Sequence, residues 1–185
     1  MLAASLMAWA AAMLAAAAPV GDRVAPAPLL LVPIRAQVHV QTHIQTHTQI
    51  KETAVSHHAR GTFTVKVLPL TPVPAEGISR FSINKELHGE LEARTEGEMF
   101  SAGDPRQGEA GYVAIEVVTG TLAGRHGSFA LQHSATMDKG GNKMTVAVVP
   151  GSGTGELKGI AGTFTIVIEG GQHSYDLDYT LPAQD

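Results

Sequence analysis

From Arg60 onward the chain alternates. Over Thr62–Leu68, Phe63, Val65 and Val67 share one face while Thr62, Thr64 and Lys66 share the other, the period of a half-buried strand. The prolines of Leu70–Pro74 break that strand, and Ile78–Leu87 resumes with Phe81, Ile83 and Leu87 on a common face. His88-Gly89 marks a turn or bulge. In Glu90–Phe100, Leu91, Ala93 and Met99 alternate with Glu90, Glu92, Arg94, Glu96 and Glu98. A turn at Asp104–Gly108 precedes Gly111–Thr121, the most apolar strand, and Gly124–Gly127 makes the next hairpin. Ser128–Met137 and Lys143–Val149 follow, joined at Asp138–Gly141. Pro150–Gly159 reads as a glycine-rich loop with one helical turn at Gly155–Lys158, before a last hairpin of Gly162–Ile168 and His173–Leu181. Eight short strands without a long amphipathic helix predict an all-β fold, a sandwich or a closed barrel. Closure is favoured because it removes exposed edges, and eight strands enclose either packed side chains or one small ligand.

What precedes the barrel has another character. Nineteen of the twenty glycines lie beyond Arg60. Leu2–Ala18 is an apolar, alanine-rich run of 17 residues, at the lower edge of a membrane span and slightly long for a signal-peptide core. Ala16–Ala18 offers a small-residue cleavage pattern, disfavoured by Pro19, and Ile34–Ala36 offers a weaker one. The run lacks Lys and Arg at its start, so three readings stay open: an export signal, an uncleaved anchor, or a misplaced start codon. Ala25–Pro33 is an extended, proline-bearing spacer. Residues 37–58 repeat Gln-Thr-His and hold five of the nine histidines, His39, His43, His47, His57 and His58. Their spacing would suit a divalent metal on one face of a helix or strand. The Gln/Thr-rich composition, with no carboxylate at the histidine spacing and no helix cap, points instead to a disordered linker. The expected organisation is therefore a non-globular leader at 1–36, a linker at 37–58 and one eight-stranded antiparallel barrel at 59–182.

Composition then narrows the function classes. Net charge is −4 and the basic residues are scattered, so no electrostatic footprint for nucleic acid is expected. Cysteine is absent, which removes disulfides, thiolate nucleophiles and cysteine-ligated metals. Pro150–Gly155 lacks the Gly-Lys-Ser/Thr ending of a phosphate loop. No metal site or cofactor is expected inside the barrel.

Two residues carry the candidate chemistry. Glu116 lies mid-strand among Ala114, Ile115, Val117 and Val118, where a carboxylate must reach solvent, a partner or a cavity. It shares parity with Tyr112 and Ala114. Both faces of that strand are apolar, so an outward Glu at an interface and a lumen-facing acid or base both remain open. His133 follows Phe129 and Leu131 on one face. A single histidine there is ordinarily a satisfied core or interface residue, yet the hairpin at Gly124–Gly127 pairs its strand with that of Glu116, which permits an acid/base couple. Tyr112, Gln132 and Tyr175 are the candidate ligand contacts, although Tyr175 and Tyr179 share the Leu177 face and read more readily as packing residues.

Several ordered motifs are recognisable: Gly61–Val65, Gly111–Glu116, Gly127–His133, Val149–Leu157 and His173–Tyr179. Together they resemble the bacterial family called domain of unknown function 3224, over about Ala59–Leu181. The resemblance implies an allene oxide cyclase-like barrel and a homodimer or larger homo-oligomer, and no settled activity. The leader and linker depart from it. The expectation is a module that holds a small apolar or amphipathic ligand or serves as an oligomeric scaffold. The alternative is a cofactor-independent isomerase or cyclase using a lumen Glu or His. Localisation follows the leader: secreted or periplasmic if it is an export signal, without a stable membrane span after processing, and cytoplasmic otherwise.

Overall fold

Each alternating stretch forms a strand in the structure, a computed structural model that describes residues 55–182. The strands are β1 (Ser56–Pro69), β2 (Ser79–Gly89), β3 (Leu91–Asp104), β4 (Glu109–Leu122), β5 (Arg125–Asp138), β6 (Gly141–Val148), β7 (Ala161–Glu169) and β8 (Gln172–Thr180). They run antiparallel in sequence order, and β1 pairs with β8 to close the barrel. The expected strands are therefore all present, most of them longer than the alternation suggested. The leader and most of the His-bearing linker lie outside the described residues. The linker's end does not: His57 and His58 belong to β1 and stand opposite Tyr179 and Asp178 of β8. The barrel thus begins at Ser56, inside the stretch expected to be linker, because β8 extends far enough to supply those residues with ladder partners.

Turn chemistry fixes the register. β4 and β5 join through Ala123-Gly124, both left-handed (φ 49 and 80), between the paired Leu122 and Arg125. Gly170-Gly171 (φ 58 and 82) does the same between Glu169 and Gln172. Two positive φ values in a two-residue loop match the twist of the flanking strands. Pro105–Gln107 forms a one-turn 3-10 helix capped by the Asp104 carboxylate, and the helical turn expected at Gly155–Lys158 is a 3-10 turn over Gly155–Leu157.

Connections alternate between the two ends of an up-and-down barrel, and the ends differ. At one end the loop after β6 folds back along β5. Ser152 Oγ accepts from the Ala130 amide (3.0 Å), Thr154 Oγ1 from that of Ser128 (3.1 Å), and a Glu156 carboxylate oxygen from that of His126 (2.7 Å). This places Leu157 and Ile160 as a buried plug. The main core lies beneath it, including Leu87, Leu91, Leu122, Phe129, Phe164 and Leu177. Toward the other end, reached by the β1–β2, β3–β4, β5–β6 and β7–β8 connections, the core shrinks to Phe81, Ile83, Met99 and Ala114. Residues 71–77 of the β1–β2 connection are all exposed and plug nothing. The wall is weakest between β6 and β7, which pair through Ala147 opposite Thr163.

Candidate functional site

Parity on four consecutive strands aims polar groups into the interior. On β2, Lys85 points inward between Ile83 and Leu87; on β3, Thr95 does so between Ala93 and Gly97; on β4, Glu116 between Ala114 and Val118; on β5, His133 between Leu131 and Ala135. Lys85 stands opposite Thr95, Gly97 opposite Glu116, and Ala114 opposite His133. The polar position thus steps along each strand as the tilted strands require, and the four side chains meet at one level. Gly97 makes room for them: a Cβ there would lie 2.6 Å from the Glu116 Cα and Cβ.

All four are almost wholly buried, Lys85 at 4% exposure, Thr95 at 2%, and Glu116 and His133 at 1% each. Glu116 is the hub. Its Oε1 accepts from Lys85 Nζ and from His133 Nε2 (2.8 Å), and its Oε2 from Thr95 Oγ1 (2.7 Å). Thr95 Oγ1 in turn accepts from the Lys85 backbone amide at 3.1 Å. Burial alone would raise the Glu116 carboxyl. The His133 hydrogen bond and the Lys85 charge outweigh it and hold the group down at about 2. Burial lowers Lys85 from its ordinary value, against the upward pull of Glu116. Its ammonium also sits 5.7 Å from the Phe63 ring centroid, within cation–π range.

The histidine tautomer follows from these contacts. An ionised carboxylate only accepts, so His133 donates from Nε2, and in the neutral ring the remaining nitrogen, Nδ1, carries the lone pair. Among the described residues Nδ1 has no hydrogen-bond partner. The arrangement is a carboxylate-oriented imidazole beside a buried ammonium, able to offer a donor and a base to a molecule lying above them.

Room for such a molecule exists. A cavity of about 170 Å³ occupies the loosely packed half, with Lys85 and His133 on its wall. Deeper in, the wall is mainly apolar side chains, including Val65, Ile83, Met99 and Ile166, while Tyr112, Met144, His173 and the polar Thr136, Asn142 and Lys143 of the β5–β6 hairpin border it nearer the mouth. Glu116 lies behind Lys85 and His133, not on the wall. Tyr112 donates to Met144 Sδ at 3.3 Å, and burial, then Glu116, push its phenol up to about 12, so it stays protonated. His173 is lowered by burial, then by Lys85.

The expected site residues therefore separate. Glu116 faces inward, not outward to an interface, and meets His133 as the hairpin allowed. Tyr112 reaches the cavity. Gln132 does not: it faces outward beside Val113 and Ile115, because it sits one residue out of phase with His133. Tyr175 belongs to the packed half, where its hydroxyl accepts from the Leu91 amide (3.0 Å) and lies over Gly61. Lys85 and Thr95 were missed. The available signal was parity, since Lys85 falls on the Phe81–Ile83–Leu87 face.

A second group of potential ligands lies on the outer surface of β1 and β8. His58 Nδ1 is 2.5 Å from Asp178 Oδ1 and 3.8 Å from Asp176 Oδ1, while Arg60 Nε donates to Asp176 Oδ2 at 2.7 Å. With Arg60 engaged, the set is a surface ion-pair network.

The family described as "Protein of unknown function (DUF3224)" matches residues 59–179. This chain belongs to the DUF3224 family. Its fold is similar to the crystal structure of a DUF3224 protein of unknown function from Shewanella oneidensis MR-1. That protein is 46% identical, with 70% of this chain and 100% of that one covered, at a TM-score of 0.63. No curated protein matches. DUF3224 membership brings the barrel and no activity, so function is argued from the site.

Proposed function

We propose that this barrel is a binding module for a small, mainly apolar ligand held in its loosely packed half. The observation that carries the reading is the cavity: apolar on its walls, with the Lys85 and His133 side chains on one side. A few convergent polar groups in an apolar recess are the usual composition of a ligand site. Its 170 Å³ is below drug-sized pockets. It is comparable to the roughly 150 Å³ cavity that admits benzene, so the buried part of the ligand is about one ring or a short chain.

The test uses an apolar probe on the full-length chain. Toluene should shift the methyl resonances of Val65, Ile83, Met99 and Ile166 saturably. Ala135→Phe, which directs a ring into the same space from β5, should abolish those shifts while the protein stays folded. Absence of shifts in the folded, unsubstituted chain sinks the proposal.

A second reading is supported by the Glu116–His133 hydrogen bond. An oriented imidazole with Nδ1 unengaged suits general-base chemistry, as in a cofactor-independent isomerase or cyclase of the allene oxide cyclase type. It predicts that His133→Gln removes any turnover of a bound ligand without removing its binding. We propose a homo-oligomer in the same terms. Val113, Ile115 and Val117 form an exposed apolar stripe on β4, about half exposed at each position (55%, 51% and 48%), which a second copy would cover. A monomeric mass in light scattering contradicts that.

A further inference from the structure

We propose that the ligand is an organic anion, a monocarboxylate whose apolar body has about the size of a phenyl ring. The inference rests on the cavity being a binding site and concerns what it selects. The chain as a whole is acidic, with 17 Asp and Glu against 13 Lys and Arg. The cavity inverts that balance. Its bordering ionisable groups are Lys85, Lys143, His133, His173 and Tyr112, and among the described residues no Asp or Glu borders it.

The nearest carboxylate, Glu116, sits behind the wall and is already engaged by three donors. It offers a ligand cation nothing. Lys85 differs: an ammonium has three N–H donors, and among the described residues Glu116 alone accepts a hydrogen bond from it. The donors that remain are on a side chain that borders the cavity. A carboxylate there gains a charge-assisted hydrogen bond in a site shielded from water, and such bonds are about twice as strong as neutral ones. Exposed Lys143 at the rim adds attraction during approach. The other bordering groups include no second buried ammonium, so a second anionic group on the ligand would be left without a buried partner.

Benzoate, benzyl alcohol and benzylamine separate the outcomes on the full-length chain, read by the His133 and His173 ring resonances and the Met99 methyl. Benzoate is expected to bind about tenfold tighter than benzyl alcohol, the ratio for one charge-assisted bond over a neutral one. Benzylamine is expected to bind more weakly than both. Lys85→Met should erase the preference for benzoate; if that variant does not fold, the series on the unsubstituted chain decides. Benzyl alcohol binding as tightly as benzoate overturns the anion inference and leaves the binding module standing. No binding by these three or by toluene removes both.

Discussion

The two halves of this barrel are built from the same eight strands with the same in–out alternation, yet they do different things with their interiors. In one half Leu91, Leu122 and Leu177 are 0% exposed, Phe164 stacks on Tyr175 with ring centroids 5.2 Å apart, and Leu157 and Ile160 close the end. In the other, Phe81, Ile83, Met99 and Ala114 are fewer and leave a cavity of about 170 Å³. The β6–β7 loop folds inward over the first half, whereas residues 71–77 stay out over the second. Between the halves lies the layer of Lys85, Thr95, Glu116 and His133. Well-packed apolar side chains would serve stability at least as well there, since a buried ion pair seldom repays its desolvation. A costly polar layer at the boundary between packed and hollow space is what the proposed binding function would account for.

Breaking the boundary layer should have the largest effect. Lys85→Met leaves Glu116 buried beside fewer partners and should destabilise by about 3–5 kcal/mol. Lys85→Met with Glu116→Leu should recover much of that in urea denaturation, showing that the layer is not there for stability. In the packed half, Leu177→Ala should cost about 3–4 kcal/mol, because nothing can collapse into a site that is 0% exposed. Ile83→Ala in the hollow half should cost less, about 2 kcal/mol, since its neighbours already border empty space. Equal costs for the two would contradict the contrast.

Acid sharpens the contrast through Glu116. Its folded-state value of about 2 lies below the ordinary 4.5, so its contribution is fully present above pH 4.5 and lost as pH falls from there toward 2. An acid-unfolding curve should therefore lose stability through that window, by a few kcal/mol on the linkage relation, and Glu116→Gln should flatten it. The smallest effect belongs to Ala135→Phe. It fills space instead of creating it and should change the melting temperature by only a few degrees, equivalent to about 1 kcal/mol, while the toluene response disappears.

Most of the fold was legible in the residues. Alternation such as Phe63-Val65-Val67, and the glycine turns, place the strands and their order, although the turn expected at Gly124–Gly127 falls at Ala123-Gly124 and leaves Arg125–Gly127 in β5. The start of β1 was not legible, since His57 and His58 look like the repeats before them and are strand only because β8 reaches them. The Glu116–His133 pair could be anticipated from the hairpin. Which face of β4 is interior could not, because Val113, Ile115 and Val117 are as apolar as a core and yet point outward. Lys85 escaped because a lysine on an apolar face reads as an interruption until closure brings Glu116 across from β4. The cavity itself leaves no mark in the alternation; it depends on side-chain volumes summed across strands that meet only in the closed barrel.

Xenon under pressure in a crystal of this protein tests the central claim most directly, because it occupies apolar space without requiring a chosen ligand. The account predicts a xenon site bordered by Val65, Ile83, Met99 and Ile166, and none among Leu91, Leu122 and Leu177. Xenon absent from the hollow half, or bound equally in both halves, would contradict it.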